Sequence, residues 1–375
     1  MAVTQDELYA TLDLDLSWSE AALPERERTK HVNRLHPYLG KFIPQLVEVL
    51  LNRYVPVGGH VLDPFGGSGT TLVQSLESGY DATGVDIAAF NCLLMHVKTA
   101  QYDLGALREE LGDAYVRIER LEPRRSRVPR RRYLRDWYAP DAAAELFAFR
   151  DLIPEYRHAD VLRVILSRAA RSARRAAHFD LEAPREPQRG EYWCHKHRRT
   201  CRPVESAVGF LSRYTRDTLA RIEEFAEVRD VEREATVVHG DSREAVLGGP
   251  FDAVLTSPPY PGLIDYHEQH RYAYELLGLD DRREREIGAA ESGTSLASIE
   301  AYRAGIAAVL ERAASALRPG APILIVVNDR RDLYPEILER AGLHLDDRLR
   351  RHVNRRTGRR AGEYFEDVLV ARAGS

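Results

Sequence analysis

The apolar positions change period along the chain. Residues 1 to about 30 hold no sustained period and predict a loose lead-in. From 44 to 54, "PQLVEVLLNRY" repeats its apolar residues at helical spacing. "GGHVLDPF" reads as a turn and a short buried strand. "GGSGTTLVQSLESGY" reads as a glycine turn opening into a helix, with Gly79 as its C-cap. "DATGVDI" is a second strand ending in an acid, and a helix follows over about 88–101. The alternation then stops from about 102 to 235, a stretch rich in helical patterns, arginine and prolines. It resumes with "ATVVHGD", "FDAVLTSPPY", a helix around 298–317, the strand "APILIVVND" and a helix around 333–341. "HLDDRLRRHV" and "EYFEDVLVARA", separated by "NRRTGRR", predict a closing hairpin.

Buried strands alternating with helices predict an α/β fold. Its sheet is mostly parallel, covered on both faces, and closed by an antiparallel hairpin. The interruption is too long for a loop, so it predicts an inserted helical subdomain. The chain divides accordingly. Residues 30–101 and 236–375 form one domain, and 102–235 form the insertion.

Composition adds two constraints. Of the 375 residues, 44% are hydrophobic and 30% charged, as in soluble globular proteins. No apolar run approaches the roughly 20 residues of a membrane span. The acidic first residues lack a signal-peptide core, so a cytoplasmic protein with no membrane partner is expected. The net charge of -4 hides an asymmetry, because residues 124–202 carry 20 Lys and Arg against 10 Asp and Glu. Such a segment suits a polyanion, or equally a set of solvated helix faces.

The candidate chemistry sits at strand ends. In "VLDPFGGSGTTL", Asp63 ends a strand, and Gly66, Gly67 and Gly69 let the backbone approach a ligand. The helix beginning near Thr70 turns free N–H groups toward that place. No Gly-Lys-Ser/Thr follows, which excludes a P-loop. Leu72 stands where a dinucleotide fingerprint wants a small residue. Asp86 ends the second strand, where an acid commonly binds ribose hydroxyls, and Asp241 in "VVHGDS" ends the third. Each acid alone could be a turn cap. At three successive strand ends they fit a nucleoside with a carboxylate end, such as S-adenosylmethionine.

"TSPPY" ends the fourth strand. Two prolines leave the sheet in a rigid shape. Ser257 and the Pro258 carbonyl can then face a planar group bearing an amine, with Tyr260 on its ring. A proline-rich turn with a core tyrosine is the plainer alternative.

"DPFGGSGTT" and "TSPPY", with "HPYLGKF" upstream, resemble the amino-group DNA methyltransferases that use S-adenosylmethionine, over about 36–100 and 236–370. The Ser-Pro-Pro-Tyr form is typical of cytosine-N4 enzymes, whereas adenine-N6 enzymes more often begin with Asp or Asn. The resemblance implies a Rossmann-like methyltransferase fold and methylation of a cytosine N4 amine flipped from double-stranded DNA. Such enzymes often act beside a cognate restriction endonuclease. Carried over by position, Asp63, Phe65, Gly67, Gly69 and Thr70 shape the cofactor turn. Asp86 takes the ribose, Asp241 the adenine edge, and Phe42 and Pro44 the methionine side. Ser257, Pro258, Pro259 and Tyr260 hold the target base.

Adenine-N6 methylation, RNA amino-methylation and a nucleic-acid binder without catalysis stay open. Carbon-5 chemistry is disfavoured, since Cys92, Cys194 and Cys201 follow Asn91, Trp193 and Thr200 rather than proline. The family commonly carries its recognition region elsewhere in the motif order. DNA contact by 102–235 is therefore expected on charge and length.

Three further stretches invite a role. "YWCHKHRRTC" offers Cys194, His197 and Cys201 to a zinc ion, with His178 as a fourth ligand, or is a basic loop with reduced thiols. "RRSRVPRRRYLRDWY" and "RLRRHVNRRTGRR" offer cations to phosphates, with Tyr133, Trp137 and Tyr138 to pack or stack. "IDYHEQHRYAYELLGL" is expected to cover the target pocket.

Overall fold

A computed structural model describes residues 16–18, 23, 27, 29–40, 42–181, 184–353 and 364–374. The lead-in lies largely, and the "NRRTGRR" turn wholly, outside them.

Seven strands form the central sheet. β1 (His60–Asp63), β2 (Asp81–Asp86), β5 (Ala235–His239), β6 (Ala253–Thr256) and β7 (Ile323–Val327) run parallel. β8 (Leu343–Val353) and β9 (Tyr364–Ala373) are the antiparallel hairpin. The order is β5-β2-β1-β6-β7-β9-β8, with β9 antiparallel to β7. β3 (Tyr192–Cys194) and β4 (Arg199–Cys201) pair separately within the insertion. The mostly parallel, doubly covered sheet is thus the expected one.

β6 and β7 are buried at every position, which is why they read as unbroken apolar runs. The chain leaves β1 in one direction to β2 and places β6 on its other side. This reversal opens a crevice at the carboxyl ends of β1 and β6, where open α/β sheets bind ligands.

The helices follow their patterns closely. Pro44–Tyr54 begins at a proline, whose fixed φ suits a first turn. Thr70–Ser78 ends on Gly79 in the left-handed conformation. Leu296–Ser315 starts ahead of its apolar pattern because Ser295 Oγ caps it, accepting from Ser298 N at 3.2 Å. Tyr334–Arg340 follows a similar anchor, with Asp329 accepting from Leu333 N and Tyr334 N at 2.9 Å each.

The insertion contributes Leu104–Glu119, Arg132–Trp137, Pro140–Leu152, Ala159–Ala173 and Val208–Ala226. Its apolar side chains share one buried cluster with Leu35 and with Phe90, Leu94 and Val97 of the Ala89–Thr99 helix. It therefore packs against helices that flank the sheet. Part of the basic segment belongs to that packing. Tyr133 and Tyr138 are buried, and Tyr138 Oη donates to Ala170 O at 3.1 Å. Arg168 is buried against Asp217 and Thr218. These aromatics pack rather than stack on a base. Among the described residues no helix is long and apolar enough to cross a membrane.

Candidate active site

The site grows from the ends of β1, β2 and β6. Asp63 closes β1 and is 2% exposed. Its carboxylate accepts from Thr71 Oγ1 at 2.6 Å, Thr256 Oγ1 at 2.7 Å and Phe65 N at 3.1 Å. Burial pushes the carboxyl up to about 6, although all three hydrogen bonds pull it down. Asp63 thus ties the glycine turn and its helix to the first residue of "TSPPY". It is a bracket as well as part of the cleft wall.

The turn itself requires glycine. Gly67 and Gly69 have φ of +51° and +81°. A Cβ on Gly66 would lie 2.6 Å from Met95 Sδ. Gly67 N donates to Asp86 Oδ2 at 2.8 Å, across 19 residues. Ala88 N and Asn91 Nδ2 donate to Asp86 Oδ1 at 2.8 and 3.1 Å. Burial raises the Asp86 carboxyl to about 7 against those hydrogen bonds. Lys98, buried below, donates from Nζ to Ser68 O at 2.5 Å and fastens the turn.

The glycine turn and Asp86 line a cleft. Phe42, Asp63, Phe65, Gly67, Thr70, Asp86, Asp241, Ser257 and Pro259 all reach it. Pro44 and Gly69 do not. Pro44 is buried as the first residue of its helix, and Gly69 is the N-cap of Thr70–Ser78, packed beside Met95. Asp241 is clamped by Arg243 (Nε at 2.8 Å, Nη2 at 2.5 Å) and by Arg285 Nη2 at 3.0 Å. Burial works to raise its carboxyl, but the Arg243 hydrogen bonds outweigh that and hold it below its ordinary range.

Four buried polar atoms of the lining lack partners: Ser68 Oγ, Thr70 Oγ1, Asn91 Oδ1 and Glu286 Oε2. Buried polar atoms are rarely left so, and together they fit a polar ligand. The Thr70–Ser78 helix has no side-chain cap, so its first amides also face the turn. Amides and hydroxyls suit a carboxylate at one end, and the Asp86 carboxylate suits a diol at the other. This is the functional pattern of S-adenosylmethionine.

Other lining residues were not singled out in the sequence. Tyr38 hydrogen-bonds Asn91 and stacks on Tyr266 at 5.2 Å. Its place in "HPYLGKF" was the available signal. Glu286, in the charged run "DRREREIG", carried none. The fully buried His267 accepts from Arg282 N through Nε2 at 3.3 Å, so Nδ1 bears the proton. It donates that proton to Glu286 Oε1 at 2.8 Å and aims the carboxylate. His270 is a structural floor under Tyr38, and burial lowers its pKa to about 3.

The "TSPPY" segment forms a ledge between two clefts. Ser257 and Pro259 line the glycine-turn cleft. Tyr260 lines a neighbouring one with Tyr302, Asn328, Arg331 and Tyr334. Tyr302 Oη braces the ledge by donating to Pro259 O at 3.0 Å. Pro258 is buried. Ser257 and Tyr260 thus open on adjoining clefts across the ledge. The segment after the ledge covers the cleft that Ser257 faces. Its Ile264 and Tyr266 roof the glycine-turn cleft. Of the arginine hairpin, Arg351 is buried beside Glu366, and Arg348 Nη2 pairs with Asp367 at 2.6 Å. Both serve the sheet edge.

A family model described as a DNA methylase (N6_N4_Mtase) matches residues 9–95. The chain is 36% identical to the Type II methyltransferase M.MjaII of Methanocaldococcus jannaschii, over 97% of this chain and 84% of that protein. It is 23% identical to the Type II methyltransferase M.MvaI of Kocuria varians, over 61% and 53% of the two chains. Among solved structures it overlaps loosely with the rRNA methyltransferase aviRa of Streptomyces viridochromogenes. That chain is 15% identical, with 90% and 88% covered and a TM-score of 0.35. The fold rests instead on the strand order above. With this relationship over nearly its whole length, the chain belongs to the amino-group DNA methyltransferases, enzymes whose methyl donor is S-adenosylmethionine.

Proposed function

We propose that the chain methylates the exocyclic N4 amine of cytosine in double-stranded DNA. The observation that carries this is the ledge. Ser257, the head of the Ser-Pro-Pro-Tyr form, faces the glycine-turn cleft while Tyr260 faces the neighbouring one. A base seated against Tyr260 meets the methyl donor's cleft only across Ser257 and the prolines. Such a base must first leave the duplex stack.

Bound in the glycine-turn cleft, S-adenosylmethionine supplies an electron-poor methyl group on a sulfonium sulfur. The protein supplies position. The amine of cytosine is a poor nucleophile, because its lone pair is delocalised into the ring. Hydrogen bonds from its N–H groups to Ser257 Oγ and the Pro258 carbonyl draw those protons away and return the lone pair to nitrogen. Tyr260 holds the face of the base. Tyr302 and the Asp63–Thr256 hydrogen bond keep the ledge still. No nucleophilic cysteine is needed. Asp86 receives the ribose hydroxyls, Phe42 covers the methionine side and Asp241 faces the adenine edge. A role beside a restriction endonuclease is supported by the Type II designation of its relatives.

Labelled S-adenosylmethionine is incubated with duplex DNA or RNA, and the nucleosides are separated. N4-methylcytosine in DNA is the expected product. Label only in N6-methyladenine, or only in RNA, overturns the reading.

A further inference from the structure

The insertion holds a second cluster of chemistry, remote from the cleft. Between Ala173 and Ala207 the described residues add no fully buried side chain to the apolar cluster that holds the helices. The segment's regular structure is the β3–β4 pair, three residues per strand. Two short strands alone are marginal in water. Yet Cys194 and Cys201 are 0% and 6% exposed and are both free thiols.

Their surroundings explain the burial. His197 Nδ1 lies 3.6 Å from Cys194 Sγ and 3.5 Å from Cys201 Sγ. His178 comes from the other side, its ring 4.7 Å from that of His197. Its Nδ1 is buried without a hydrogen-bond partner. One ligand atom from each of the four lies within 4.8 Å of the other three. A tetrahedral zinc ion with Zn–S of about 2.3 Å and Zn–N of about 2.05 Å separates its S and N ligands by about 3.6 Å. Both measured S–N distances match that edge. A disulfide would account for the two sulfurs but not for two imidazoles turned toward them.

We propose that His178, Cys194, His197 and Cys201 form a closed structural zinc site that fastens the β3–β4 hairpin to the chain following the Ala159–Ala173 helix. Two thiolates and two imidazoles select zinc over magnesium or calcium, which prefer oxygen. Four protein ligands leave no open position, so the site is structural rather than catalytic. The thiolates neutralise the ion. The exposed Lys196, Arg198 and Arg199 around it then keep their charge on a rigid loop.

The test uses the full chain, purified without chelator or metal-affinity tag. Elemental analysis is expected to find one zinc per chain. Cys194→Ser and Cys201→Ser are expected to fall below a tenth of that. His195→Ala, whose side chain is outside the cluster, is expected to keep it. Binding of S-adenosylmethionine reports that each variant is folded. If the cysteine variants do not fold, chelator-stripped wild type is titrated with Co2+. An intense thiolate-to-cobalt band at one equivalent is expected, together with loss of tryptic cleavage at Arg185, Arg189 and Arg198. Metal-free protein with two reduced thiols and unchanged cleavage overturns the proposal. So does a Cys194–Cys201 disulfide, or zinc retained in both cysteine variants.

Discussion

Ser257 and Tyr260 sit on one ledge but serve different clefts, so their substitutions separate chemistry from cofactor binding. Ser257→Ala and Tyr260→Ala are each expected to lower kcat by about 100-fold, the scale of a misplaced reacting group. The affinity for S-adenosylmethionine, measured by calorimetry, should stay within about threefold. Near-wild-type turnover in both variants would remove the ledge from the mechanism. Thr256 acts on the same ledge through Asp63. Thr256→Val removes the 2.7 Å donor to Asp63 Oδ1, which keeps Phe65 N at 3.1 Å, and is expected to cost about 1 kcal/mol in denaturant unfolding. Asp63 and Asp86 also set a pH dependence. Burial raises their carboxyls from 3.8 to about 6 and about 7. Their contribution to stability is complete below the unfolded value and is lost as pH rises through 6 and 7. Asp86→Asn should therefore flatten the decline in melting temperature expected of the ligand-free protein between about pH 4 and pH 7. Pairing with ribose hydroxyls favours the ionised form. Cofactor affinity in the wild type should weaken below pH 7, by up to about tenfold per unit, and Asp86→Asn should lose that dependence.

At the scale of elements, the glycine turn does two jobs. It bends the chain from β1 into the Thr70–Ser78 helix, and it clears space for a ligand. Gly67 is where both meet, because its φ is +51° and an added Cβ would lie 3.1 Å from Tyr38 Oη. Gly67→Ala is expected to cost about 1–2 kcal/mol of stability from the left-handed backbone alone. It should also weaken S-adenosylmethionine binding at least tenfold, because the Gly67 N–H bond that orients Asp86 is disturbed. A melting curve and a binding isotherm on the same sample check the two effects. The turn, its acids and the strand-end prolines were legible in the sequence because each is a local signal of a few residues. Glu286 was not. Its orientation depends on His267, which lies 19 residues upstream, and on a fold that brings both against the cleft. Tyr260 was found, but not the side it faces.

At the scale of the molecule, the insertion shares one apolar core with the Ala89–Thr99 helix. Phe90, Leu94 and Val97 pack against the insertion's helices. Replacing 102–235 with a short linker would expose that surface, and the product is expected to aggregate without binding S-adenosylmethionine. A soluble, cofactor-binding product would show that the insertion is a separate body.

The periods and punctuation of this sequence determined the seven strands of the main sheet and their order, since those follow from neighbours in the chain, but not the β3–β4 pair inside the insertion. They also placed acids and glycines at strand ends, where a parallel sheet gathers its ligand. Only the tertiary structure decided which of the basic residues face outward. Arg168 and Arg351 are buried against acids 49 and 15 residues away. It also decided that His178 meets Cys194, His197 and Cys201, and that Asp63 joins the glycine turn to Thr256 across 193 residues. Such contacts arise because burial in a shared core, not distance along the chain, sets which polar groups must find each other.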